Sequence, residues 1–279
     1  MQTSANSSGE ERNVLDLDAY FRRIGYQGSL DPTLDTLQRI HFAHTINIPF
    51  ENLDVLLGKP ISLELGDIQR KLVTNHRGGY CFEQNRLLGE ILIALGFRVT
   101  GLAARVRKGS TAIRPRTHMI LKVELEGVAW LVDVGFGSEG ILYPIRLDQS
   151  EAIEQHAWSY RICEEGDLLV LQTLYQDGWF DLYAFTQEPQ HPVDYLVANH
   201  FTQTHSRSPF TYTLLVQKST AVVRKILLNR QFILARAGVH EIKRIADDGA
   251  LLKVLDTEFG LQFPDGTCFK FTEEDGPLS

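Results

Sequence analysis

The stretch that decides the fold of this chain is Arg77-Gly78-Gly79-Tyr80-Cys81-Phe82-Glu83-Gln84-Asn85. Its paired glycines allow backbone conformations that are closed to other residues, so the sequence predicts a tight turn. The residues after it carry apolar side chains at helical spacing as far as Gly96, where a C-terminal cap belongs. These apolar residues are Leu87, Leu88, Ile91, Ala94 and Leu95. The turn therefore brings Cys81 to the first turn of a buried helix.

Cys81 has two interpretations in this setting. The orphan N–H groups and the positive end of the helix dipole favour a reactive thiolate. Free cysteines, however, are usually small, buried and inert core residues. The local sequence leaves both interpretations open, and the choice depends on whether a base lies close to the sulfur.

Composition places the chain among soluble globular proteins. It has 279 residues, of which 43% are hydrophobic and 23% charged, and this length predicts two or three tightly packed subdomains. The formal net charge of -7 argues against a nucleic-acid binder, so an anionic ligand would need a local basic patch. No run approaches the length of about 18 apolar residues needed for a transmembrane helix, and no membrane partner is expected.

The N-terminal segment, the cysteines and two of the histidines each argue against a class of site or signal. Residues 1–13 are polar, which predicts a disordered tail and not a signal peptide. The three cysteines lack CxxC spacing, which argues against a disulfide framework and a cysteine zinc site; a reducing cytoplasm would keep Cys81 a thiol. His41 and His44 form a possible metal pair, but without a carboxylate or cysteine at ligand spacing we expect packing histidines and no metal.

The pattern of apolar residues changes at Gly96. Helical spacing dominates before it, whereas the segments after it alternate between apolar and polar residues. The alternation predicts a β-rich middle, either a small barrel or a strongly twisted sheet. Later segments 210–216, 221–227 and 232–235 also predict strands, and 251–259 predicts an apolar helix.

A candidate base and its partner lie on one predicted hairpin. If Glu126-Gly127 is a two-residue turn, His118 lies opposite Gly135 and Asp133 is its diagonal neighbour on the same face. A slip of one residue would put them on opposite faces, so the prediction depends on the register. The apolar neighbours of Asp133 make an unpaired carboxylate costly, and an imidazole N–H is a suitable donor. The alternative is a solvated face of an edge strand.

Glu51 raises the same question of an unpaired carboxylate. It lies in the apolar segment Ile48-Pro49-Phe50-Glu51-Asn52-Leu53, where such a charge needs a partner. Arg77 is the partner that we nominate. We expect this pair to be structural, fixing the turn that carries Cys81, and not catalytic.

The whole chain resembles the arylamine N-acetyltransferase family. Four motifs carry the resemblance, in the order and at the spacing of the family: Ile48-Pro49-Phe50-Glu51-Asn52-Leu53, the turn from Arg77 to Asn85, Thr117-His118, and Val132-Asp133-Val134-Gly135-Phe136-Gly137. The resemblance implies a catalytic triad of Cys81 as nucleophile, His118 as base and Asp133 orienting the imidazole. It also implies an α+β fold with a cysteine-protease/transglutaminase-like catalytic core. The expected parts are a helical bundle over 14–96, a β-barrel over 97–200 and an α/β lid over 201–279.

The activity implied by the resemblance is ping-pong acetyl transfer. Acetyl-CoA is the acetyl-donor co-substrate, and a small-molecule arylamine, arylhydrazine or related amine is the acceptor. The expected assembly is a monomer or homodimer. The alternative on the same triad is a cysteine hydrolase or an amide synthase. A catalytically inactive CoA- or small-molecule-binding protein is disfavoured because all three polar residues are present.

The resemblance also implies residues that contact the ligands. The expected substrate pocket is aromatic and comprises Phe50, Tyr80, Phe82, Phe136 and Phe210. Thr117, Gly137 and Ser138 are the expected cofactor contacts. A basic group ahead of His118 predicts electrostatic steering of the anionic cofactor, and it comprises Arg105, Arg107, Lys108, Arg114 and Arg116. Some family members carry a Thr-Gly pair where this chain has Arg114-Pro115, which puts the backbone contacts there in doubt.

Overall fold

The structure is a computed structural model that describes residues 15–110, 112–137, 139–236 and 239–272. The predicted tail over 1–13 and the predicted cofactor residue Ser138 lie outside the described residues. In the described part of the chain, no helix is both long enough and apolar enough to cross a membrane.

Helices dominate the chain before Gly96, as the sequence predicts. They are α1 (Leu17–Ile24), α2 (Leu34–Asn47), α3 (Leu53–Leu56), α4 (Leu65–Gln69), which continues as a π-helical turn (Arg70–Thr74), and α5 (Cys81–Ala94). Helix α1 shows how local sequence sets the boundaries. Asp16 caps its N-terminus by accepting the Ala19 N–H at 2.8 Å, and Gly25 ends it in the left-handed conformation at φ 66°.

Eight antiparallel strands follow and form one sheet. In chain order they are β2 (Arg98–Val106), β3 (His118–Leu125), β4 (Val128–Val132), β5 (Ile145–Arg146), β6 (Ile153–Gln155), β7 (Trp158–Glu165), β8 (Leu168–Tyr175) and β9 (Gly178–Phe185). Their order in the sheet is β5-β4-β3-β2-β9-β8-β7-β6. The β3–β4 register pairs Leu125 with Val128 and Leu121 with Val132, so the hairpin predicted around Glu126-Gly127 is confirmed.

A second sheet joins a short strand of the helical first part to the strands of the C-terminal part. Its strands are β1 (Phe50–Glu51), β10 (Leu215–Ser219), β11 (Arg224–Leu228), β12 (Gln231–Arg236) and β13 (Val239–Arg244), in the order β1-β10-β11-β12-β13. Three helical segments accompany it: α6 (Pro192–Thr204), a 3₁₀ turn (Pro209–Thr211) and α7 (Asp248–Val254), which continues as a π-helical turn (Leu255–Phe259). Phe50 pairs with Gln217 in β10 and also bridges to Gly79, so this sheet reaches the turn before Cys81.

One predicted strand is wrong. Segment 210–216 begins as a 3₁₀ turn, and β10 starts only at Leu215. The Asn52 side chain explains the difference, because its amide donates to the carbonyls of Phe210 at 3.0 Å and Thr213 at 2.7 Å. The carbonyls of Phe210 and Thr213 therefore accept from Asn52 and not from a neighbouring strand. Helix α6 also runs through position 200, where the sequence analysis placed the end of the middle part.

Strand β3 lies between two hydrophobic clusters and is buried on both faces. Met119 and Leu121 pack with helices α1, α2 and α5, whereas Ile120 packs with the interior of the eight-stranded sheet. Because side chains alternate along a strand, His118 points to the same side as Ile120. The strand thus holds the histidine at the boundary between the helices and the sheet.

The segment after β4 passes very close to the start of α5, and this contact is testable. A Cβ added at Gly135 would lie 2.6 Å from Cys81 Cα, so Gly135→Ala should lower the free energy of unfolding by about 1–3 kcal/mol. Gly89, inside α5, has room: its new Cβ would meet Leu121 Cδ2 at 3.5 Å. Gly89→Ala should raise the free energy by up to about 1 kcal/mol. Urea unfolding of both variants checks this, and equal shifts would contradict it.

Candidate active site

Cys81 is the first residue of α5 and is 4% exposed. The start of the helix is held by Glu83, whose Oε2 accepts the Tyr80 N–H at 3.1 Å. The Cys81 sulfur lies 3.7 Å from the Thr117 carbonyl oxygen and is in hydrogen-bond contact with the His118 side chain. The cysteine is therefore buried beside an imidazole, at the positive end of a helix dipole.

His118 and Asp133 form a buried ion pair. The imidazole Nε2 lies 2.8 Å from Asp133 Oδ2, and the two side chains are 3% and 1% exposed. Burial alone would lower the pKa of His118, but the Asp133 carboxylate and the contact with Cys81 outweigh it and raise this pKa to about 10. The ring is therefore an imidazolium at neutral pH, and its Nδ1 is left to face the cysteine.

Asp133 has three further partners. Its Oδ1 accepts hydrogen bonds from the Asn85 side-chain amide and the Gly135 N–H, both at 2.9 Å, and its Oδ2 accepts from the Tyr183 hydroxyl at 2.9 Å. Burial raises the pKa of Asp133, but His118, the Asn85 amide and the Gly135 N–H lower this pKa by more, so the net direction is down. The carboxylate is thus kept ionised in an apolar setting.

Asn85 and Tyr183 are functional candidates that the sequence analysis missed. Asn85 lies in the quoted stretch, one helical turn after Cys81, and its helical spacing was the available signal. It also donates to the Met119 carbonyl at 2.7 Å. Tyr183 comes from β9, 50 residues after Asp133, and no local pattern points to it.

His41 and His44 are completely buried packing residues. Each ring makes two hydrogen bonds to protein groups. Burial lowers the pKa of His41 to about 4 and that of His44 to about 3, so both rings are neutral at pH 7. Within the described ranges, no cluster of three or more His, Cys, Asp or Glu side chains is arranged to hold a metal ion.

The five predicted pocket aromatics form two groups. Tyr80 packs edge-on against Phe82 and Phe210, with ring centroids 5.7 and 5.9 Å apart, and Phe210 lies 6.0 Å from Phe50. Phe136 instead packs on His118, with centroids 5.1 Å apart. Phe136 therefore contacts the imidazole, whereas the other four rings contact one another.

Two cavities adjoin these residues. A cavity of about 320 Å³ is lined by Phe82, Thr117 and His118 together with residues of α6. A smaller cavity of about 30 Å³ is lined by Phe50, Asp133, Phe136 and Gly137, among others. The predicted cofactor residues Thr117 and Gly137 thus border different cavities. Tyr80 and Phe210 line neither of these two.

Comparison with known proteins identifies the family. The N-acetyltransferase family model matches residues 33–267. The arylamine N-acetyltransferase of Mycobacterium tuberculosis is 40% identical over 258 residues, covering 90% of this chain and 91% of the relative. That of Escherichia coli K12 is 36% identical over 252 residues, covering 89% and 90%. The chain belongs to the arylamine N-acetyltransferase family.

Solved structures of the family share its fold. The arylamine N-acetyltransferase from Mycobacterium tuberculosis superposes with a TM-score of 0.85 at 41% identity, covering 88% of this chain and 93% of that one. The Mycobacterium marinum enzyme, solved in complex with CoA, gives a TM-score of 0.84 at 38% identity, covering 88% and 92%. The mixed α/β architecture of helices and curled sheets is therefore that of the arylamine N-acetyltransferases, a family of acyltransferases.

Two residues of the basic group ahead of His118 form ion pairs within the protein. Arg107 contacts Glu165 at 2.5 Å and Asp181 at 2.9 Å, and Arg116 contacts Glu188 at 2.8 Å. These ion pairs reduce the positive charge that the group presents to an anionic ligand. Steering of a cofactor by this group stays a prediction.

A buried ion-pair network lies beneath the turn that carries Cys81. Arg77 contacts Glu51 at 2.7 Å, as nominated from the sequence, and Asp54 at 3.1 Å. Lys71 joins Asp54 at 3.0 Å to Glu83 at 2.7 Å. Since Glu83 also accepts the N–H of the residue before the cysteine, the network connects to the first turn of α5.

The Arg77–Glu51 contact predicts that removing Arg77 lowers the stability of the fold more than the catalytic rate. The two side chains are 15% and 0% exposed, and removing one partner of a buried pair costs about 3–5 kcal/mol. Arg77→Ala should therefore lower the melting temperature or the soluble yield, while kcat of the remaining folded enzyme changes less. Arg39→Ala, which removes an exposed pair with Asp35, is the control and should change little. Unchanged melting with lost activity would argue against a structural pair.

Proposed function

We propose that this chain transfers the acetyl group of acetyl-CoA to the nitrogen of an arylamine, an arylhydrazine or a related amine, through an acetyl-cysteine on Cys81. The observation that carries the proposal is the contact chain from Cys81 through His118 to Asp133, at the N-terminus of a buried helix. Membership of the family and the CoA complex of the Mycobacterium marinum relative support the donor. The arylamine acceptor is inferred from the names of the relatives, and the wider class of amines from the resemblance of the motifs.

The first half-reaction forms the acyl-enzyme. The Cys81 thiolate attacks the thioester carbonyl of acetyl-CoA, and the CoA thiolate leaves from the tetrahedral intermediate. The His118 imidazolium stabilises the thiolate beforehand and protonates the leaving group. Asp133 fixes the ring orientation and stabilises its positive charge, as the third member of a triad does.

The second half-reaction returns the free enzyme. The amine nitrogen attacks the acetyl-cysteine carbonyl, and neutral His118 takes the proton that the nitrogen loses. The Cys81 thiolate leaves, and the thiolate–imidazolium pair forms again. The protons balance over the two steps, because the proton that His118 gives to CoA is replaced by the proton that it takes from the amine.

Two features of the surroundings suit these steps. Cys81 is the first residue of α5, so its own N–H has no acceptor within the helix and is our candidate oxyanion donor. Aromatic walls keep water from the acyl-enzyme, and we assign this role to Phe50, Tyr80, Phe82, Phe136 and Phe210. Thr117, Gly137 and Ser138 remain our proposed cofactor contacts.

Broader features of the proposal stay predictions. They include the division into a helical bundle, a β-barrel and an α/β lid, the cysteine-protease-like core, and the monomer or homodimer. We also place the reaction in the cytoplasm, where a reducing environment keeps Cys81 a thiol.

Substitution of the triad tests the roles directly. Cys81→Ser should abolish acetyl transfer while circular dichroism and melting stay those of the parent enzyme. Asp133→Asn should reduce kcat by about 10⁴-fold, because an amide can hold the wrong imidazole tautomer. Retained transfer in Cys81→Ser would refute the nucleophile assignment.

Incubation with acetyl-CoA alone separates a transferase from a hydrolase. Intact-mass spectrometry should show one acetyl group on Cys81 that persists until an arylamine is added and then disappears as the acetylated amine forms. Cys81→Ser is the matched control and should stay unmodified. Rapid release of acetate without any amine would favour the hydrolase instead.

A further inference from the structure

Helix α2 carries two buried histidines that neither half-reaction uses. His41 and His44 are both 0% exposed and lie almost one helical turn apart, on the side of α2 that faces the active site. Each ring forms two hydrogen bonds, and in each case one of the partners can act only as a donor or only as an acceptor. The tautomers of both rings therefore follow from their partners.

His41 is bonded to two points of the segment that follows β4. Its Nδ1 lies 2.9 Å from the Leu142 carbonyl oxygen, which only accepts, so Nδ1 carries the proton. Its Nε2 must then accept, and it receives the backbone N–H of Asp133 at 3.2 Å. One neutral ring thus ties the backbone of the triad aspartate to α2.

His44 has the opposite tautomer and reaches the other end of the site. The Gln84 side-chain amide donates to the carbonyls of Pro49 at 3.2 Å and Gly79 at 2.9 Å, so its Oε1 is an acceptor. His44 Nε2 lies 3.0 Å from this oxygen and therefore donates to it. Its Nδ1 accepts from the Tyr20 hydroxyl at 2.8 Å.

We propose that His41 and His44 are positioning residues, which fix the backbone of Asp133 and, through Gln84, the turn that presents Cys81. The proposal rests on the triad roles given under Proposed function. Cys81 and Asp133 are 52 residues apart in sequence. The two histidines thereby hold the backbone near both residues to one helix, α2. A displacement of about 1 Å at such a site can cost about 10²-fold in rate.

A neutral ring at His41 is essential to this arrangement. Burial favours the neutral forms, and the other titratable or charged groups that act on the two rings are Asp133, paired with His118, and Tyr20 and Arg23. A second proton on His41 would point an N–H at the Asp133 N–H, which cannot accept it. At His44 the Tyr20 hydroxyl could still accept, so there it is burial that opposes the second proton. The folded protein therefore resists protonation that the unfolded chain accepts, and stability falls as the pH drops from 6.5 towards 4.

Paired amide substitutions at His41 separate its two hydrogen bonds. A glutamine places its amide near the Nε2 position and can still accept the Asp133 N–H. An asparagine places its amide near Nδ1, so it reaches Leu142 but not Asp133. We expect His41→Gln to keep kcat within about 3-fold of the parent enzyme, and His41→Asn to lose about 10–100-fold in kcat with KM for acetyl-CoA unchanged.

The same pair at His44 gives an independent test. His44→Gln keeps a donor for Gln84, whereas His44→Asn keeps only the side that faces Tyr20. We expect kcat to stay within about 3-fold of the parent enzyme in His44→Gln and to fall about 10–100-fold in His44→Asn. Single-turnover mass spectrometry should show this loss as slower acetylation of Cys81 by acetyl-CoA. The control is His200→Asn on α6, an exposed histidine that should leave every parameter unchanged.

The outcomes decide the inference separately from the triad roles. Cys81→Ser gives the baseline without a nucleophile; if it retains activity, the triad roles fail. If Cys81→Ser is inactive but Gln and Asn variants are equally active, or equally impaired, at both histidines, the positioning roles fail. Nitrogen-15 NMR of the parent enzyme needs no variant and must show Nδ1-protonated His41 and Nε2-protonated His44 at pH 7. The same tautomer in both rings, or a charged ring, would overturn the inference.

Discussion

The buried ion pair between His118 and Asp133 is the interaction on which the rest of the site depends. Removing two charges from water is costly, and the attraction between them compensates only if every remaining lone pair is satisfied. Asp133 meets this condition, because Asn85, Gly135 and Tyr183 donate to it in addition to the imidazole. Helix α5, the β3–β4 hairpin and strand β9 must therefore all be in place before the pair is stable.

Local sequence predicts the parts of this arrangement that depend on short-range rules. The Glu126-Gly127 turn fixes the hairpin register, and both residues adopt positive φ, at 51° and 79°. That register was enough to put His118 and Asp133 on one face. Likewise, the paired glycines before Cys81 predict a turn and a helix start, and α5 begins at the cysteine.

The contacts that sequence reasoning missed all join distant segments. Tyr183 reaches Asp133 across 50 residues, and His41 reaches its backbone across 92. Asn52 takes the carbonyls that a strand over 210–216 would need, across 158 residues or more. No periodicity or motif within one segment contains this information, because it arises only when the helices and both sheets pack together.

The His118 ring itself offers the most direct test of this account. In nitrogen-15-labelled enzyme, assigned with a His118→Gln variant, the ring should titrate at about pH 10. In Asp133→Asn the midpoint should fall well below that value, because burial then acts without the opposing carboxylate. The parent enzyme should also lose stability as the pH rises from 6.5 to 10, since a raised pKa stabilises the fold only while the ring is protonated. A midpoint near 6.5 in both proteins would contradict a buried imidazolium–carboxylate pair as the basis of the site.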